Sequence, residues 1–171
     1  KTIEAGLTLS RLGLIDELET ALLLIPASLT IQWQEELWEK FNINAYRFDR
    51  GSGNQYVFHD AFGQEHRPPA AASLGLDADE RSEAWTESPI WRFLHAQQSH
   101  DPAEGSSIVI MSWHTARLDD RWDQVAPRDE GDIRTRADVP ASARGRDTTS
   151  REGVWDAVII DEAHNARSGS K

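Results

Sequence analysis

Apolar residues are distributed along this chain in two distinct periods. Three short, nearly continuous runs stand out: Ala21-Leu22-Leu23-Leu24-Ile25, Ile108-Val109-Ile110-Met111 and Val154-Trp155-Asp156-Ala157-Val158-Ile159-Ile160. Runs of this kind suit strands buried on both faces of a parallel sheet, although periodicity alone fits a buried helix segment too. Between the first two runs the period lengthens. Leu29, Trp33, Leu37 and Phe41 recur every four residues, with Trp38 beside them and Gln34, Glu35, Glu36 and Lys40 opposite. This is the stripe of an amphipathic helix, for which Ser28 is the expected N-cap. Upstream, Ile3, Leu7, Leu9, Leu12 and Leu14, interrupted by Gly6 and Gly13, predict a short buried helix from Thr2 that ends near Gly13. Ala45 to Phe48 predicts another short strand. Ser88 is placed to cap a helix carrying Ile90, Trp91, Phe93 and Leu94, and Ser112 or Trp113 to start one through Leu118.

Strands that alternate with helices predict an α/β domain with a mainly parallel sheet. Two stretches stand outside this pattern. Asp49 to Glu87 is rich in Gly, Ala, Pro and charge, and Asp119 to Glu152 interleaves nine acids with seven arginines. Both are expected to be insertions or loops, and the second has too few large apolar residues to offset its ordering entropy. With 171 residues, 39% of them hydrophobic, the chain has room for one domain or part of one.

Cysteine is absent, which excludes disulfides and thiolate metal sites and favours a cytoplasmic setting. The longest apolar stretch, Ala21 to Ala27, is far too short to span a membrane, and the N-terminus lacks the order of a signal peptide. A net charge of −11 opposes tight non-specific binding to nucleic acid and leaves only a local basic patch for such contact. His59, His66, His95, His100, His114 and His164 show no zinc spacing, and no Gly-x-Ser-x-Gly elbow occurs. Trp33, Trp38 and Trp155 fall on apolar positions, which points to core packing rather than base stacking.

In an open α/β sheet, ligands bind beyond the C-terminal ends of the strands. Asp161-Glu162-Ala163-His164 directly follows the third apolar run and reads as a Walker B element; its plain alternative is a solvated acidic turn. In the Walker B reading, Asp161 holds Mg²⁺ and Glu162 orients or deprotonates the attacking water. Lys1-Thr2 matches the tail of a phosphate loop, GxxxxGK[ST], in which the lysine reaches the phosphates and the hydroxyl binds Mg²⁺. Alone, that dipeptide says nothing beyond a chain terminus. The order of the whole set gives it meaning.

Lys1-Thr2-Ile3-Glu4-Ala5-Gly6-Leu7, Ile25-Pro26-Ala27-Ser28-Leu29 with Gln32-Trp33-Gln34-Glu35-Glu36-Leu37, Ile110-Met111-Ser112-Trp113 and Asp161-Glu162-Ala163-His164 follow one another in that order. The series resembles the first half of a superfamily 2 helicase-like ATPase of the SNF2 group, near the bacterial RapA and HepA proteins. The resemblance implies a RecA-like P-loop lobe, incomplete here because the first strand and the phosphate-loop glycines are missing. It also implies ATP and Mg²⁺ as cofactors, with Lys1 and Thr2 binding nucleotide, Thr2 and Asp161 binding the metal, and Asp161 and Glu162 catalytic. His164 would couple hydrolysis to motion, and Ser28, Leu29, Ser112 and Trp113 would contact nucleic acid, for which double-stranded DNA is expected. The Ser/Thr-Ala-Thr motif and the second RecA-like lobe with its arginine finger are absent, so this chain alone is expected to be inactive. Bacterial members serve in transcription recycling and in phage defence of the DISARM type, and the large insertions favour defence. Two functions stay open: the first lobe of a nucleic-acid translocase, or a non-catalytic interaction or regulatory module that keeps the lobe's shape.

Overall fold

Strand β1 (Thr20–Ile25) is buried at every position, as its unbroken apolar run requires, and it lies inside a six-stranded sheet. The structure is a computed structural model that describes residues 1–15, 17–50, 56–75, 88–100, 106–116 and 155–162. On either side of β1, strands β5 (Ser107–Ser112) and β6 (Ala157–Ile160) run parallel to it, and β2 (Ala45–Arg50) is parallel to β5. Strands β3 (Tyr56–His59) and β4 (Glu65–His66) extend the sheet in antiparallel pairing. The order is β4-β3-β2-β5-β1-β6, a mostly parallel mixed sheet.

Helices cover both faces, which is why Ala21 to Ile25 of β1 and Ile108 to Met111 of β5 can be apolar on both faces. On one face, α1 (Thr2–Leu14) and α2 (Thr30–Phe41) bring Ala5, Leu9, Trp33 and Leu37 against Leu23, Ile25, Ile108 and Ile110. On the other face, Ile90, Phe93 and Leu94 of α3 (Pro89–His100) and Ala116 of the single-turn α4 (Trp113–Ala116) meet Leu22, Leu24, Val109 and Met111. Gly6 is needed for the close approach of α1 and α2, because a Cβ there would lie 2.3 Å from the Phe41 ring. Asn42 ends α2 in the left-handed conformation (φ 55°), with its N–H donating to the Trp38 carbonyl and that of Ile43 to the Leu37 carbonyl. No helix among the described residues is long and apolar enough to cross a membrane.

Three expectations need correction. Asp49 to Glu87 is not simply insertion and loop: Tyr56–His59 and Glu65–His66 are strands, and Phe58 is fully buried, stacked on Phe93 with ring centroids 3.8 Å apart. Asp60 closes that hairpin, accepting from the N–H groups of Phe62 (2.9 Å) and Gln64 (2.8 Å) and lying 3.0 Å from His66 Nε2. Buried Gln34 ties the hairpin to α2, its Nε2 donating to the carbonyls of Ala45 and His59, each at 2.7 Å. Ser28, second, caps no α-helix. It lies exposed in a 3₁₀ turn, Ala27–Leu29, and α2 starts at Thr30, whose hydroxyl donates to the Ala27 carbonyl. The third concerns β6, expected to be buried on both faces. Among the described residues it is the last strand of the sheet, with Val158 48% and Ile160 46% exposed, while Ala157 and Ile159 pack toward α1 and α2.

Of the tryptophans assigned to the core, Trp33 is buried, whereas Trp38 is half-buried, edge-on to Phe62 at 4.7 Å. Trp155, also half-buried, precedes β6 and packs beside the α3 face. Asp119 to Glu152 lies outside the described residues.

Candidate functional site

Three parallel strands end side by side. Ile25 pairs with Ser112 and Leu24 with Ile160, so the segments after β1, β5 and β6 emerge at one rim. The ladder continues one residue past β6, where the Asp161 N–H donates to the Leu24 carbonyl at 2.9 Å. Asp161 is thereby fixed to the sheet with a buried carboxylate. Glu162 then turns away with φ 55°, a left-handed conformation that costs a non-glycine residue about 1 kcal/mol. Its N–H donates to Asp161 Oδ1 at 3.0 Å, closing the turn.

The N-terminus of α1 stands over this turn. Helix α1 packs on the sheet through Ala5 and Leu9, and its first turn delivers the Lys1 ammonium to 3.0 Å from Asp161 Oδ1 and 2.5 Å from Glu162 Oε1. Hydrogen bonds from the ammonium to Glu162 and then Asp161 raise the Lys1 pKa above its ordinary value. The Lys1 side chain is 60% exposed, so water screens the pair and its worth to stability is small. What it fixes is position: two carboxylates converge on one cation. They open on a pocket of about 570 Å³ whose walls also include Glu4, Thr8 and Trp33.

Lys1, Asp161 and Glu162 are thus brought together, and Thr2 is not. Thr2 is buried and does not line this pocket. The expected Thr2 contribution to a metal therefore has no support in this arrangement. Ser28 and Leu29 lie in the turn after β1, Ser28 exposed and Leu29 half-buried against the α1–α2 core. Ser112 Oγ accepts from the Thr115 N–H at 3.1 Å and lies 2.9 Å from its hydroxyl, so it caps α4. Trp113 is half-buried and donates its indole N–H to the Asp161 carbonyl at 2.8 Å. His164 lies outside the described residues.

Asp156 was invisible as a site residue in the sequence, yet it anchors the strand that carries the acids. One oxygen, Oδ2, accepts from the N–H groups of Glu19 (2.8 Å) and Thr20 (2.9 Å) and from the Thr20 hydroxyl (3.3 Å). The only signal was an acid interrupting an apolar run one residue before the strand begins.

Among the described residues, no group of three or more His, Cys, Asp or Glu is placed to hold a metal. Mg²⁺ asks for less, since it keeps several waters and takes one or two carboxylates plus substrate phosphates. Two carboxylate oxygens already flank a cation, the Lys1 ammonium, and a pair of carboxylates is the donor set that Mg²⁺ takes beside substrate phosphates. Compared with protein-family models, with curated proteins and with solved structures, the chain finds no match.

Proposed function

We propose that this chain supplies the hydrolytic corner of an ATP-driven nucleic-acid motor of RecA-like architecture. The observation that carries the reading is the meeting of Lys1 with Asp161 and Glu162, 160 or more residues apart in sequence, at the C-terminal rim of parallel strands. Lysine, aspartate and glutamate are the residue types phosphoryl transfer uses at such a rim.

In this reading Asp161, buried and anchored to Leu24, is the rigid carboxylate for Mg²⁺. Mg²⁺, when bound, neutralises charge on the phosphates. Glu162, half-buried and aimed by its left-handed backbone, takes the proton from an attacking water or orients it. Lys1 binds phosphate oxygens, and the N-terminus of α1 adds partial positive charge beside it. Ser28 and Leu29 after β1, with Ser112 at the end of β5 and Trp113 after it, share the rim and are the proposed contacts to double-stranded DNA. A second RecA-like lobe supplies the remaining groups.

The test is DNA-stimulated Mg·ATP turnover by the native polypeptide that carries this chain. Glu162→Gln is expected to lower turnover about 100-fold or more while nucleotide still binds, the usual scale for loss of a general base. Turnover unchanged by Glu162→Gln would overturn the catalytic assignment. Absence of Mg·ATP binding in both proteins would favour the non-catalytic module.

A further inference from the structure

The Trp113 indole makes a contact that neither a core tryptophan nor a nucleic-acid contact needs. Trp113 follows β5, and Asp161 follows β6, with β1 lying between those two strands. The ring therefore reaches across the end of β1 to place its N–H 2.8 Å from the Asp161 carbonyl. The base of that reach is held, because Ser112 Oγ caps the turn of α4 and Ala116 is buried against the sheet.

The acceptor is what makes the contact consequential. The Asp161 carbonyl belongs to the peptide that joins Asp161 to Glu162, and the orientation of that peptide sets φ of Glu162. Glu162 sits at φ 55°, where a residue with a Cβ persists only if its surroundings hold it. Contacts at both ends of this peptide hold it: its N–H donates to Asp161 Oδ1, and its carbonyl accepts from Trp113. Releasing the carbonyl frees the peptide to rotate, and Glu162 Oε1 then leaves Lys1.

We infer that Trp113 is a positioning residue that locks the Asp161–Glu162 turn and ties the geometry of the two carboxylates to the segment after β5. Its effect on turnover rests on the function proposed above; its effect on the turn does not. Anything that displaces Trp113 at the rim also displaces the acid that acts on water, so occupancy of that segment and catalytic competence are one equilibrium.

Trp113→Phe keeps a ring and removes the N–H; a benzothienyl-alanine at 113, which replaces the N–H with sulfur at nearly constant volume, covers the case in which phenylalanine does not fold. NMR of the Glu162 backbone and of Lys1 Nζ gives a readout independent of activity. Both variants are expected to lose the left-handed signature at Glu162 and to shift Lys1 Nζ, with the far-UV spectrum unchanged. Turnover of Mg·ATP by the native polypeptide, at saturating DNA, is expected to fall about tenfold in kcat with KM for Mg·ATP within twofold, since Lys1 and Asp161 remain in place. An unchanged Glu162 signature and Lys1 resonance would overturn the inference whatever the activity. Likewise, a changed signature with unchanged kcat would overturn the catalytic consequence. If the signature changes and even the unsubstituted protein turns over no ATP, the proposed function fails and the positioning role stands.

Discussion

Asp156→Ala is expected to loosen the strand that carries the acidic pair, and the structure sets the size of the effect. Three hydrogen bonds end on one carboxylate oxygen, two from backbone N–H groups at the start of β1 and one from the Thr20 hydroxyl. A bond to a charged acceptor is worth about 1.5–3 kcal/mol when buried, but Asp156 is exposed and the Thr20 hydroxyl bond is long, so each contributes well below that range. A total of about 2 kcal/mol follows, a fall of roughly 5 °C in Tm for a chain of this size. Because all three bonds use Oδ2, Asp156→Asn keeps an acceptor in place and loses only the charge, at a cost of about 0.5–1 kcal/mol. Urea unfolding of the three proteins at constant m measures the series. Hydrogen exchange of the Asp161 N–H, bonded to Leu24 at the far end of β6, should accelerate in Asp156→Ala and much less in Asp156→Asn. The reasoning fails if alanine and asparagine are equally destabilising, or if the Asp161 amide keeps its protection in the alanine variant.

Gly6→Ala is expected to lower stability by about 1–2 kcal/mol, since the added methyl meets the Phe41 ring. In a Phe41→Leu background the same change should be neutral or stabilising, because the helix then gains from alanine without the clash; a double-mutant cycle by urea unfolding reads the difference. Burial works to raise the Asp60 pKa, but His66 and the N–H groups of Gln64 and Phe62 outweigh it and hold the carboxyl below its ordinary value of 3.8. A depressed carboxyl adds stability that is complete above that value and disappears as the pH falls through the folded pKa. Asp60→Asn should therefore lose stability at neutral pH and show a flatter acid limb below about pH 4, measured by urea midpoints across that range. Lys1 has the opposite sign: its raised pKa means that the contact with Glu162 and Asp161 persists below its ordinary value of 10.5 and is lost only as the pH rises through the folded pKa. Titration of the Lys1 Nζ resonance checks this, and Glu162→Gln should move that titration downward.

The elements legible in the sequence were those whose pattern reports burial directly. Strands β1 and β5 and the stripe of α2 stood where apolar spacing put them, because each is covered by neighbours that demand that spacing. Helix α1 formed where expected but is not buried as expected: Ile3, Leu7 and Leu14 are exposed, and its buried face is made by Ala5, Gly6 and Leu9. Tyr56-Val57-Phe58-His59 is not legible as a strand in the sequence, for a physical reason. Four residues beside Gly- and Pro-rich segments make a weak signal, and their strand identity depends on pairing with β2 and on the Phe93 ring, neither of which is local. Ser28 has the residue type of a cap, but a cap residue before an amphipathic stripe is also compatible with a 3₁₀ turn that delays the helix to Thr30. In the site, Lys1, Asp161 and Glu162 were legible through their order along the chain. Asp156 and the indole of Trp113 were not, since both act on backbone groups, and a backbone partner leaves no trace in residue types.

Charge at the rim makes one further demand, on the form of the ligand. Helix α1 runs down the sheet from the rim, which puts its positive N-terminal end and Lys1 beside Asp161 and Glu162. Against them stand those two carboxylates and Glu4 on the same pocket wall. Acids outnumber the lysine, so a polyphosphate brought here without a cation meets net repulsion. At an effective dielectric near 20, two like charges about 4 Å apart repel by about 4 kcal/mol, and exposure to water reduces that to roughly a third or less. Free ATP should accordingly bind at least tenfold more weakly than Mg·ATP, about 1.4 kcal/mol. Titration calorimetry in EDTA and in excess Mg²⁺ measures the ratio. Asp161→Asn should shrink it, because removing one carboxylate relieves the repulsion of free ATP and weakens the hold on the cation. If EDTA left affinity unchanged in the wild type, the acidic pair would not face the phosphates, and the ammonium between the carboxylates would be a structural ion pair and nothing more.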